Sequence, residues 1–142
     1  MLFSGIDTDD IDLRWTWISE KLTGIGYESH WYGKGHTGYK SMSHLPANRG
    51  FAAGSLLFLS GSGSYVTLPK WQGEAPMTPD SHEYSTDLYG SRALRAVQNH
   101  DATKPLFLYL PFQAVHTPYD LPPRCQTQQC DSNPIRPMLK VR

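Results

Sequence analysis

Apolar residues recur along the chain at two different spacings, and each spacing marks an element. Ile11, Trp15, Ile18 and Leu22 return at i, i+4, i+7 and i+11. That is helical period with one buried stripe, and it predicts a helix from Asp10 to Thr23. Asp7, Asp9 and Asp10 lie around its start, where carboxylates cap free N–H groups and suit the helix dipole, while Gly24 and Gly26 supply the stop. Tyr27 to Tyr32 reads as a short aromatic strand ending at Gly33. From Gly33 to Pro79 the chain reads mostly as loop, broken by the apolar run Ser55 to Leu59 and bent around Gly61 and Gly63.

A second helix is predicted from Ser85 to His100, with Ser85 as N-cap, Asp87 in the first turn, and Tyr89, Ala93, Ala96 and Val97 as its stripe. After a turn over Asp101 to Lys104, the run Leu106 to Phe112 is almost wholly apolar, as expected of a strand covered on both faces. The order helix, strand, loop, helix, strand predicts an α/β fold with a mainly parallel sheet flanked by helices. Periodicity fails beyond Pro123, so residues 1–123 are expected to pack and residues 124–142 to form a polar, unpacked tail.

Composition restricts function more than fold. Thirteen basic residues balance thirteen acidic ones, which leaves no net field to favour nucleic acid or an anionic membrane. No apolar run is long enough to span a bilayer, and residues 1–10 show neither the basic start nor the apolar stretch of a signal peptide. The compartment is therefore not legible. Cys125 and Cys130 allow either a local disulfide or two free thiols; a zinc site would need two further ligands, and none stands nearby at suitable spacing.

Three segments place polar groups where an α/β protein builds sites. Lys34 and His36 lie on a glycine-bounded loop directly after a strand, and ligands of open α/β sheets gather at the carboxyl ends of strands. The lysine offers fixed positive charge and the histidine a proton that moves near neutral pH. On residue types alone, a surface loop is the commoner reading. His116 follows Leu106–Phe112 closely enough to sit at that strand's carboxyl end, with Pro118 stiffening the turn; the plain alternative is a histidine bonded to nearby backbone. Together the two segments suggest an anion site. Arg49, before Gly50 and Phe51, is read as structural, covering apolar surface or forming a bridge. His30, His44, His82 and His100 lie in loops or near element ends without companion ligand spacing.

In their order the motifs resemble those of the sulfatase family, nearest in style to arylsulfatases of the B type. Gly26-Tyr27 and Gly33-Lys34-Gly35-His36-Thr37-Gly38-Tyr39 are similar to the family's Gly-Tyr…Gly-Lys-Trp-His-Leu-Gly signature, and Leu45 to Phe51 to its Leu-Pro-x-x-Arg-Gly-Phe. Phe58 to Ser62, Tyr84 to Tyr89, and Lys104 to Pro118 continue in register. The resemblance implies that residues 1–123 are part of an alkaline-phosphatase-like (sulfatase) catalytic domain. Its complete enzymes hydrolyse sulfate esters with a formylglycine nucleophile and a Ca2+ ion. It further implies that Lys34 helps hold sulfate and nucleophile, that His36 hydrogen-bonds the formylglycine hydrate and takes its proton when sulfate is expelled, and that His116 contacts sulfate near the departing oxygen.

Departures from the pattern are equally specific. The Cys-x-Pro-Ser-Arg nucleophile motif and the aspartate and asparagine calcium ligands have no match in this sequence. Gly35 replaces the usual tryptophan and Thr37 the usual leucine, which predicts a loosely packed loop, and Ala52 stands where an aspartate is usual. Little activity is expected of this chain alone. The competing reading is a non-catalytic sulfate- or anion-binding module, or a degenerate paralogue. Strands that should neighbour Leu106–Phe112 are also missing, so uncovered edges are expected there.

Overall fold

A computed structural model of the chain describes residues 10–59, 63–77, 83–123 and 125. The expectations for Asp7, Asp9, Gly61, His82, Cys130 and nearly all of the tail lie outside the described residues. Among the described residues five strands form one sheet, in the order β4-β3-β2-β1-β5. They are β1 (Glu28–Lys34), β2 (Gly54–Phe58), β3 (Trp71–Gln72), β4 (Ala75–Pro76) and β5 (Leu106–Tyr109). β1 runs parallel to both β2 and β5, with His30 opposite Gly54 and Glu28 opposite Leu106, whereas β3 and β4 are antiparallel additions. The architecture is the α/β arrangement that the order of elements predicts.

Alternation along β1 decides the two layers. Tyr32 points to one face with Leu56 and Phe58, and there α2 (Ser85–Asn99) lays down Leu88, Tyr89 and Ala93. Trp31 points to the other, where Leu57, Trp71, Leu45 and Phe51 close a second core with Trp17 and Phe107 at its margin. Each large apolar side chain so buried stabilises by about 1.5–3 kcal/mol. Among the described residues no helix is long and apolar enough to cross a membrane.

The expected first helix is the main correction. Helix α1 covers only Ile18–Thr23, and Trp15 and Ile18 of the supposed buried stripe are 69% and 65% exposed. Tertiary partners override the periodicity. Asp12 takes hydrogen bonds from the Arg14 backbone and guanidinium, the Trp15 carbonyl is taken by Arg49, and Glu20 accepts the Trp17 N–H at 2.6 Å, which starts the helix there. Asp10 caps nothing: its Oδ1 accepts the Tyr39 N–H at 2.8 Å.

Other boundaries move less. β1 runs through Gly33 to include Lys34, which is therefore a strand residue. Met42–His44 and Pro46–Asn48 form single 3-10 turns, and Trp71–Pro76 is a small hairpin turning at Gly73, where φ is +61°. Tyr84, not Ser85, is the N-cap of α2, because Ser85 points both its N–H and its hydroxyl at the Tyr65 carbonyl. His30 stands inside β1 and is buried, not in a loop. β5 stops at Tyr109 and is only half-buried; among the described residues it is an edge strand with β1 as its one neighbour. Cys125 is disulfide-bonded.

Candidate functional site

Because β2, β1 and β5 are parallel, their carboxyl ends share one edge of the sheet. Lys34 closes β1 there, opposite Phe58 at the end of β2, and its N–H donates to the Pro111 carbonyl just beyond β5 at 2.7 Å. His36 follows, with its N–H on the Leu59 carbonyl at 2.5 Å. It adopts φ +58°, a left-handed conformation sparsely populated by residues other than glycine and often found at functional positions. His116 lies on the loop that leaves β5. The structure thus brings all three residues to one edge; Lys34 is half-buried, and both histidines are exposed.

The loop carrying His36 is tightly held, contrary to the expectation from Gly35. A Cβ at Gly35 would come within 2.9 Å of the Phe58 and Leu59 carbonyl oxygens. With only a hydrogen there, the Gly35 N–H closes onto Phe58 O at 2.8 Å. Asp10 latches the far side through the Tyr39 N–H and an ion pair to Lys40 at 3.6 Å. A Cβ at Gly38 would stand 2.4 Å from the Asp10 carboxylate, so glycine permits this approach as well.

The His116 loop has its own clamp, and sequence reasoning missed it. Tyr65 is 2% exposed. Its hydroxyl accepts the His116 N–H at 3.0 Å and donates to the His116 carbonyl at 2.8 Å, with the Gln113 carbonyl at 3.2 Å as the alternative acceptor. The Tyr65 N–H donates to Asp120 at 2.8 Å, and Tyr84 donates to the Asp120 carbonyl at 3.0 Å. Burial pushes the Tyr65 phenol up, so it remains a donor through the neutral range. Nothing local in the Gly- and Ser-rich segment around Tyr65 signals a role at a position about fifty residues on. His116 Nδ1 bonds the Thr117 carbonyl at 2.8 Å, so in the neutral ring Nδ1 carries the proton and Nε2 the lone pair.

Removing that clamp has a calculable cost. Tyr65→Phe deletes a buried hydroxyl and leaves the His116 N–H with the Gln113 carbonyl at 2.9 Å as its acceptor, which costs about 0.5–1.5 kcal/mol. The expected result in urea denaturation is a lower midpoint, accompanied by broadened His116 ring resonances. An unchanged His116 line shape would show that the loop is held by other means.

Arg49 is structural, as its setting suggested. It is 3% exposed, its Nη2 donates to Glu20 at 3.1 Å and to the Trp15 carbonyl, and its guanidinium stacks 4.7 Å over Trp17. Among the described residues no group of three His, Cys, Asp or Glu side chains converges to hold a metal. The described residues alone do not make up a calcium site.

Comparison with known proteins gives three findings. A family model described as Sulfatase matches residues 9–138. Arylsulfatase J of Mus musculus is 38% identical over 121 residues, covering 75% of this chain and 20% of that protein. The chain therefore spans about a fifth of the length of this curated relative. Among solved structures, the crystal structure of Ps i-CgsB in complex with k-i-k-neocarrahexaose superposes with a TM-score of 0.68 at 24% identity, over 79% of this chain and 29% of that one. BT4656 in complex with its substrate D-Glucosamine-2-N, 6-O-disulfate gives 0.58 at 24% identity, over 80% and 22%. At that identity these two likenesses speak for a shared fold.

Proposed function

This chain belongs to the sulfatase family, and from that premise we propose that it forms one wall of a sulfate-ester hydrolase site, with Lys34, His36 and His116 as its polar groups. The observation that carries the proposal is the common edge: Lys34 ends β1, and its backbone is bonded to Pro111 on the way to His116. In this reading the Lys34 ammonium, which has no ion pair among the described residues, neutralises sulfate oxygens. Fixed charge in a partly desolvated position favours the transition state, where negative charge builds on the departing oxygen. His36 hydrogen-bonds the nucleophile, which a residue outside this sequence supplies, and takes its proton when sulfate is expelled. His116, held by Tyr65 with Nδ1 committed to Thr117, uses Nε2 toward the ester oxygen.

Calcium enters the proposal only as the ion such enzymes employ, with ligands other than the described residues. The substrate class proposed is a sulfate ester, arylsulfatase-like in type. Support for a sulfated sugar among such esters comes from the disulfated glucosamine bound to BT4656.

The test uses the 142-residue chain. Inorganic sulfate is expected to bind saturably, and Lys34→Ala to weaken it about tenfold or more, the worth of one charge-assisted contact. Hydrolysis of an aryl sulfate by the same chain is expected to be negligible, since the nucleophile motif is absent. Sulfate binding indifferent to Lys34→Ala would remove the site. Hydrolysis that His36→Ala abolishes would instead show that the chain carries a complete catalytic set.

A further inference from the structure

The amino end of β2, opposite the edge that carries Lys34, opens on a second polar hollow. Tyr32, Gly54, Ser55, Gln72, Gly73 and Arg92 contribute to the lining of a cavity of about 360 Å³, near the small end of ligand pockets, which run roughly 300–1,000 Å³. Among the described residues Arg92 is the one charged side chain in that lining, and it makes no ion pair with any of them. An arginine facing a hollow without a carboxylate is a fork awaiting an oxyanion.

Behind the cavity stands a relay that defines what Tyr32 offers. Its hydroxyl is 3.0 Å from His30 Nδ1, and His30 Nε2 is 3.0 Å from Glu28 Oε1. An ionised carboxylate only accepts, so Nε2 carries the proton and Nδ1 of the neutral ring accepts the Tyr32 O–H. The phenol proton is thereby committed inward, and the Tyr32 oxygen keeps lone pairs for an incoming donor. Gly54 makes the arrangement possible: a Cβ there would stand 2.7 Å from His30 Nδ1 and 2.8 Å from the Tyr32 oxygen. Burial pushes the Tyr32 phenol up, while the Arg92 charge opposes that rise and the Glu28 charge adds to it.

We infer that this cavity binds a small sugar bearing an oxyanion: Arg92 forks onto its carboxylate or sulfate, and the Tyr32 oxygen accepts one of its hydroxyls. Gln72 supplies a further polar contact. The site is separate from the Lys34 edge and does not depend on catalysis there.

Amide NMR of the 142-residue chain tests this with glucuronic acid, glucose 6-sulfate and glucose as probes. At least one charged sugar is expected to shift the Gly54 and Gly73 amides, while glucose shifts neither over the same range. A response to the acid alone identifies a sugar acid as ligand, and a response to the ester alone a sugar sulfate. Arg92→Gln should weaken binding about tenfold or more, and Arg92→Lys, which keeps the charge without the fork, by less. Lys34→Ala should leave this binding within about twofold, which separates it from the proposed sulfate-ester site. Equal binding of glucose, shifts confined to the Lys34 edge, or Arg92→Gln binding like the parent would each overturn the inference.

Discussion

Gly33→Ala is expected to destabilise the chain by about 3 kcal/mol or more, the largest single-residue effect predicted. Two costs combine. Gly33 has φ +140°, where a side chain is strained, at about 1–3 kcal/mol. Its Cβ would also lie 2.1 Å from the Pro111 oxygen and 2.6 Å from the Pro111 carbon. These are backbone atoms and cannot swing aside, so β1 and the segment after β5 must separate, at a further 1–3 kcal/mol or so. Separation breaks the 2.7 Å bond from Lys34 to Pro111, which joins the two halves of the site. Total stability of an ordinary domain is about 5–15 kcal/mol, so the loss would be plain in a urea midpoint. A change within about 0.5 kcal/mol would mean that the close approach is not maintained in solution.

Arg49→Ala is expected to follow, at about 3 kcal/mol. The variant removes the partner of Glu20, the donor to the Trp15 carbonyl and the cation over Trp17. A part-buried carboxylate then stands unpaired where breaking a buried pair costs about 3–5 kcal/mol; the lower figure applies because Glu20 keeps some water. Acid titration supplies an independent check. Burial pushes the Glu20 carboxyl up, but hydrogen bonds from Arg49 and the Trp17 N–H, with the Arg49 charge, outweigh it and hold the group below its ordinary value. A depressed carboxyl contributes stability that is present above the unfolded pKa and lost as pH falls through the folded one. The gap between parent and Arg49→Ala should therefore narrow as pH drops below about 4. In a double variant, Arg49→Met with Glu20→Gln, part of the loss should return, because no charge is left uncompensated. A gap constant across that pH range would show that the pair contributes little.

What the sequence disclosed depended on how local the cause was. The strand around Trp31, the apolar run at Leu56, the helix bearing Tyr89 and Ala93, and the strand at Leu106 all announce themselves through period, and each is present. The parallel sheet then followed from their order, and with it a shared edge for Lys34, His36 and His116. Failures came where a distant partner intervened. Ile11, Trp15, Ile18 and Leu22 have helical spacing, yet Arg49 draws off the Trp15 carbonyl and Asp10 turns to Tyr39. The hairpin at Trp71 is too short to show alternation. Tyr65 clamps His116 from far along the chain, and no pattern of neighbours could foretell it. Gly35 misled for a different reason: an absent side chain suggested looseness, whereas it admits the backbone of Phe58 and Leu59.

The pairing of β1 with two partners also sets an order in time. His30 meets Gly54 after a short excursion of chain, but Glu28 must wait for Leu106, which closes a far longer loop. Longer closure carries a larger entropy cost and delays contact formation. The β1–β2 half should assemble early, with Lys34 and His36 already in position. The β5 half arrives afterwards and brings His116 with it. A nascent molecule would thus pass through a stage in which the cationic and aromatic groups of one wall are set while the opposing histidine is still travelling.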